Sequence, residues 1–165
     1  MKITVSDQTR QTPPNMLPRE KNCTAMALST CFRQQLNPVV NSLLKEGIII
    51  HPKELEGDNS VINILQRLGI PEVFQNIFWE TAKQKITQKA DGRYFVINSK
   101  HLAFPGSRES HAFCCIKYKN SIGINGNNAE TKSIHYHPYP HDKVSVWGPF
   151  PEPVAINPVA LPDLL

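Results

Sequence analysis

The chain predicts an α+β domain in which helices come first and antiparallel strands follow. Apolar positions recur at helical spacing through the first half, β-branched and aromatic residues alternate with period two after Asp91-Gly92, and turn residues separate the later segments. At 165 residues the chain is long enough to bury one core without disulfide or metal staples.

The first helix is expected from Asn22, with Cys23, Met26, Ala27, Thr30, Cys31 and Gln34 on the 3.6 period and Pro38 beyond the stop. Asn37 as cap and Pro38 in the first turn start a second, short helix through Val39, Leu43 and Leu44 to a stop at Gly47. The apolar run GIIIHPKELEGD ends in a loop. Asn59-Ser60 then cap a third helix carrying Val61, Ile64, Leu65 and Leu68, closed by Gly69. Phe74 to Gln88 predicts a fourth, amphipathic through Phe78, Ala82, Lys85 and Ile86. Arg93–Ile97 reads as a strand, HAFCCIKYK and SIGIN as a hairpin turning at Lys119-Asn120, and Lys143–Trp147 as a further strand.

The flanks differ from this pattern. Residues 1–21 carry Pro13, Pro14 and Pro18 without a period and are expected to form an extended arm. Residues 149–165 hold Pro149, Pro151, Pro153, Pro158 and Pro162, a density that forbids a helix and disfavours a central strand, so a proline-rich tail is expected. A single domain over 22–148 lies between them.

Composition narrows the function classes. The net charge is +4, from 18 basic and 14 acidic residues, and the basic residues are scattered; Lys85 and Lys89 read as a solvated helix face. No recognised nucleic-acid module and no basic stripe interleaved with exposed aromatics is present, so no nucleic-acid partner is expected. The apolar runs are too short to span a membrane, and MKITVSDQTRQ, with no apolar central region, is not expected to act as a signal peptide. The expected location is the cytoplasm of the producing cell, or a target cell reached by signal-independent secretion. Cys23 and Cys31, eight residues apart on one helix, stand about 12 Å apart and cannot bridge. With Cys114 and Cys115 adjacent, four reduced thiols are the simpler reading.

Cys23 stands at a helix start, where free N–H groups and the positive end of the helix dipole lower a thiol pKa and can hold an oxyanion. Cys31, two turns further in, has neither advantage. Acyl chemistry at a thiolate also needs a base, and among six histidines His111 opens an apolar strand, a rigid mount for an imidazole. Across the hairpin, Asn125 to Asn128 come to the same open end and supply an amide to orient it.

The order Cys23, His111, Asn125, with the cysteine in an N-C-x-x-x-A-L helix start and the amide following a histidine-led strand, resembles the papain-like cysteine hydrolase fold. It is most similar to the small bacterial effector and toxin branch, which includes glutamine deamidases and cysteine proteases. The resemblance implies a papain-like α+β architecture with N-terminal helices packed on an antiparallel sheet. It implies Cys23 as nucleophile, His111 as base and Asn125 as orienting residue, with Asn22 a candidate oxyanion donor and Asn127 and Asn128 as rivals to Asn125. It also implies a protein substrate in a host or competing cell, a cognate inhibitor or immunity protein, and no cofactor. Acyl transfer to an amine, as in a transglutaminase, uses the same machinery. Where papain has its oxyanion glutamine, six residues before the cysteine, this chain has Leu17, which leaves the second donor open.

Other residues have plainer readings. Cys114 and Cys115, mid-strand, are expected to pack on opposite faces of the sheet, and Cys31 to be core. Trp79 and Trp147 are expected in the core or a cleft wall, Trp147 shielding the site from water. SIHYHPYPHDK offers His135, His137 and Asp142 as metal ligands, but Pro138 and Pro140 break the strand and a polar loop is the better reading, so no metal is assigned. GINGNN lacks a phosphate-loop pattern and reads as a hairpin end. The rival to an enzyme is a binding module that docks its proline-rich C-terminus in a partner's aromatic groove.

Overall fold

The computed structural model describes residues 23–34, 36–55, 58–99, 111–125 and 138–151. The expected N-terminal arm, the tail from residue 152 onward and His135 and His137 lie outside them. Among the described residues four α-helices and five strands follow one another as α1 (Cys23–Phe32), α2 (Leu36–Lys45), a 3-10 turn (Pro52–Leu55), α3 (Asp58–Arg67), β1 (Glu72–Phe78), α4 (Trp79–Ile86), β2 (Gly92–Asn98), β3 (His111–Tyr118), β4 (Ser121–Asn125) and β5 (Lys143–Trp147). The strands form one sheet in the order β1-β5-β2-β3-β4, every neighbouring pair antiparallel. The α+β class read from the sequence is the class observed. No helix among the described residues is long and apolar enough to cross a membrane.

The central strands explain the layering. All of Arg93–Asn98 and Ala112–Lys117 are buried, which is why RYFVIN and HAFCCI read as nearly unbroken apolar runs. Alternation sends Phe95, Ile97, Ala112, Cys114 and Ile116 into a core with α1, α2 and α3. Tyr94, Val96, Phe113 and Cys115 go to the opposite face, against Trp79, Ala82 and Ile86 of α4. Helices therefore cover both faces of the sheet. As expected for an adjacent pair within a strand, Cys114 and Cys115 lie in different cores.

One element departs from the sequence reading. The helix expected over Phe74–Gln88 occupies only Trp79–Ile86, and Glu72–Phe78 is an edge strand paired with β5. Val73, Phe74, Ile77 and Phe78 favour a pleated strand. Its two register shifts and Asn76, at φ 52, break the period-two signal. Lys85 and Lys89, read as a solvated face, lie 5.6 and 5.5 Å from the Phe74 ring centroid.

The first helices end where glycine permits: Gly47 (φ 72) follows α2 and Gly69 (φ 73) follows α3. α2 begins at Leu36, one residue before the expected Asn37 cap. After β5, Gly148 at φ +147 turns the chain across β2, where an added Cβ would lie 2.7 Å from Tyr94 Cδ2 and 3.0 Å from the Arg93 carbonyl.

That turn delivers Phe150 into the core, although it falls in the segment expected to be tail. It is 3% exposed, meets the Phe32 ring edge-on at 4.9 Å, and its N–H donates to the Arg93 carbonyl at 2.9 Å. Phe150→Ala should lose about 3–4 kcal/mol in urea unfolding, because a buried aromatic leaves a cavity. Ile50→Ala, at a side chain 88% exposed, should change stability by less than about 0.5 kcal/mol.

Candidate active site

Cys23 is the first residue of α1, a helix with no acidic residue in its first turn to oppose the positive dipole end. From Thr24 to Phe32 every α1 residue is buried, whereas Cys23 is only partly so. The other three thiols are enclosed. Burial and a hydrogen bond with Cys114 push the Cys31 thiol well up, against the partly offsetting charge of Arg93. Burial likewise raises Cys115. These two thiols are held protonated, and Cys114 is sealed in the core beside Cys31.

The course of α1 decides which end of the sheet receives Cys23. At its C-terminal end the Arg93 guanidinium donates to the Thr30 carbonyl, and Phe32 packs on Phe150, which is itself tied to Arg93. Arg93 pairs with Ile116, so α1 ends over that end of the ladder. The helix lies along β3, touching β2 less, and Cys31 meets Cys114. Eight residues back from Cys31, about 12 Å of helix, is Cys23; three residues back from Cys114, about 10 Å of strand, is His111. α1 and β3 thus run in the same direction, and their first residues, a thiol and an imidazole, arrive at the same end of the sheet.

They arrive from different faces. The residues of β3 under α1 are Ala112, Cys114 and Ile116, while the His111 ring stacks along Phe113, centroids 6.5 Å apart, and Phe113 meets Trp79 of α4 edge-on at 5.6 Å. His111 is half-buried and is the first residue of β3.

The hairpin turns at Lys119-Asn120, as expected, because Tyr118 pairs with Ser121. This register sets Asn125 opposite Cys114, three residues along β3 from His111, and the residue paired with His111 from the other side is Asn98 of β2. Asn22, Asn127 and Asn128 lie outside the described residues. Trp147 is 2% exposed, edge-on to Phe95 at 6.3 Å on the rung of Phe95 and Cys114, and is a core residue.

Sequence reasoning passed over Asn98 and treated Asp142 only as a metal ligand. Asn98 is fully buried and its Nδ2 donates to Asp142 Oδ2 at 2.9 Å; the Tyr139 N–H donates to the same oxygen at 2.9 Å. A buried asparagine at a strand end is the one local signal the sequence carries for this pair. His141 is exposed and lies edge-on to Phe78 at 5.3 Å. Among the described residues no three His, Cys, Asp or Glu side chains gather as a metal site.

No family model matches the chain, and no curated protein matches it.

The thiols should separate by reactivity. Iodoacetamide at neutral pH should modify Cys23 in the folded protein and leave Cys31, Cys114 and Cys115 intact until denaturant is added, as read by peptide mass spectrometry. Equal, slow labelling of all four would remove the distinction.

Proposed function

We propose that the protein is a papain-like thiol hydrolase that cleaves amides in proteins, with Cys23 as nucleophile and His111 as general base and acid. The observation that carries this reading is the parallel course of α1 and β3, which brings a partly exposed thiol at a helix N-terminus and a half-buried imidazole at a strand start to one end of the sheet. The helix end lowers the free energy of a thiolate there, and the N–H groups of a first helical turn are the donors an oxyanion needs.

In the reaction His111 takes the Cys23 thiol proton, and the resulting thiolate attacks the amide carbonyl carbon. The tetrahedral oxyanion is held by the Cys23 N–H with Asn22 as a second donor. His111 protonates the leaving nitrogen, the C–N bond breaks, and a thioester remains. His111 then takes a proton from water, whose oxygen attacks the thioester and releases the acid and the thiol. A glutamine side chain gives deamidation, a peptide bond gives proteolysis, and an amine in place of water gives acyl transfer. We take the substrate to be a protein of a host or rival cell, with an immunity protein guarding the producer, as the sequence resemblance to the bacterial effector and toxin branch implies.

Casein and a blocked glutaminyl-glycine dipeptide test the reading together. Ammonia release identifies a deamidase, and new α-amino groups identify a peptidase. Cys23→Ala should lower whichever activity is found by at least about a thousandfold and His111→Ala by about a hundredfold or more. Full activity in a folded Cys23→Ala protein overturns the proposal.

A further inference from the structure

We propose that Asn98, held by the buried carboxylate of Asp142, is the positioning residue that orients the His111 imidazole; the inference rests on the hydrolase reading for its chemistry but on separate geometry. Asn98 and His111 are directly paired across β2 and β3, which brings their Cβ atoms to about 5 Å. Alternation puts Asn98 on the face of Tyr94 and Val96, the face along which the His111 ring stacks on Phe113. Imidazole and amide therefore share a rung and a side.

The Asn98 side chain is aimed by its partner. A carboxylate only accepts hydrogen bonds, so the atom turned to Asp142 is Nδ2, and Oδ1, the acceptor of the amide, is the atom whose chemistry suits an imidazole N–H. Asp142 is itself fixed. It is 1% exposed, its carbonyl accepts from the Trp79 N–H at 2.8 Å, its own N–H donates to the Tyr139 carbonyl at 3.0 Å, and its Oδ2 takes the Tyr139 N–H. An amide locked in this way holds an imidazole in one tautomer and stabilises the imidazolium that forms during catalysis. Of the charged groups on the elements packed here, Glu80, Lys83 and Lys85 of α4 and His141 are exposed, Lys143 of β5 lies over the Phe78 ring at 4.9 Å, and Lys117, six residues along β3 on the same face, is paired with Asp91 at 2.6 Å; Asp142 is the buried carboxylate on this side of His111. Asn125, by contrast, is paired three residues away along β3.

Long-range nitrogen–proton NMR of histidine-labelled protein tests this without relying on turnover. Wild-type His111 should show a single tautomer with a ring N–H protected from exchange. Asn98→Leu should lose that protected proton, mix the tautomers and move the His111 titration midpoint to lower pH; Asp142→Asn, which keeps the side-chain shape, should move the midpoint the same way by removing the negative charge. Wild-type His111 with freely exchanging tautomers overturns the proposal even if neither variant folds, as does a titration unchanged in folded Asn98→Leu and Asp142→Asn. Iodoacetamide labelling of Cys23 in the same samples separates the two readings. An inert Cys23 beside a His111 tautomer that still tracks Asn98 ends the hydrolase reading and supports the positioning pair; a reactive Cys23 with His111 indifferent to both variants does the reverse.

Discussion

A helix enclosed on nearly every side takes its backbone partners from within the protein, and in α1 that requirement closes the C-terminal end. Ser29 and Thr30 return their hydroxyls to the Met26 carbonyl at 2.7 and 3.0 Å, so two polar side chains enter the core without an orphaned donor. At the C-terminal end Arg33 takes a left-handed conformation, Arg33 and Gln34 return their N–H groups to Thr30 and Ser29, and the Arg93 guanidinium caps the Thr30 carbonyl. The cation meets the negative end of the dipole. With that end closed by the sheet, the N-terminal end is the one with a partly exposed residue, and that residue is Cys23.

The sheet beneath α1 divides the protein into two cores, and the division accounts for the fate of its thiols and rings. Period-two alternation in β3 sends Cys114 toward Cys31 and α1, and Cys115 toward α4. The same alternation puts His111 in line with Phe113, away from the helix that carries Cys23. Only at the end of a sheet can side chains from opposite faces meet, so an imidazole serving Cys23 is useful at the first rung of β3 and nowhere further in.

How much of this was legible in the sequence follows from the range of the interactions involved. The hairpin, β5 and the stops at Gly47 and Gly69 are local, written in turn residues and alternation, and they appear where expected. β1 reads as helix from Phe74 onward because an irregular edge strand, broken by bulges and by Asn76, has no clean period, while Ala82 and Ile86 carry the true helical spacing of α4 and Phe78, at its cap, extends that spacing back into the strand. The 3.6 period in α1 selects no face, since all of Thr24–Phe32 is buried. The thiol and imidazole could be picked out because a helix start and a strand start each have a sequence signature. That both lie toward one end of the sheet could not be read, since it depends on Arg93, Phe150 and the direction of α1. Nor could the partner of His111: Asn98 precedes it in the chain, and Asp142 lies on the far side of the hairpin.

That last pairing ties the site to parts of the fold that look merely structural. The turn before β5 is closed by backbone bonds from Trp79 and Glu80 to Asp142 and Pro140, and β2 is joined to it by the Ser99 N–H on the Lys143 carbonyl. Asp142 therefore sits where α4, β2 and β5 converge, and Asn98 links it to the imidazole strand. α1 sets the thiol from one core, while α4 and the Tyr139–Asp142 turn set the environment of the imidazole from the other. The two halves share no helix. What keeps them in register is the β2–β3 ladder, in which one rung joins Asn98 to His111 and another, five residues along, joins Arg93 to Ile116 beneath the end of α1.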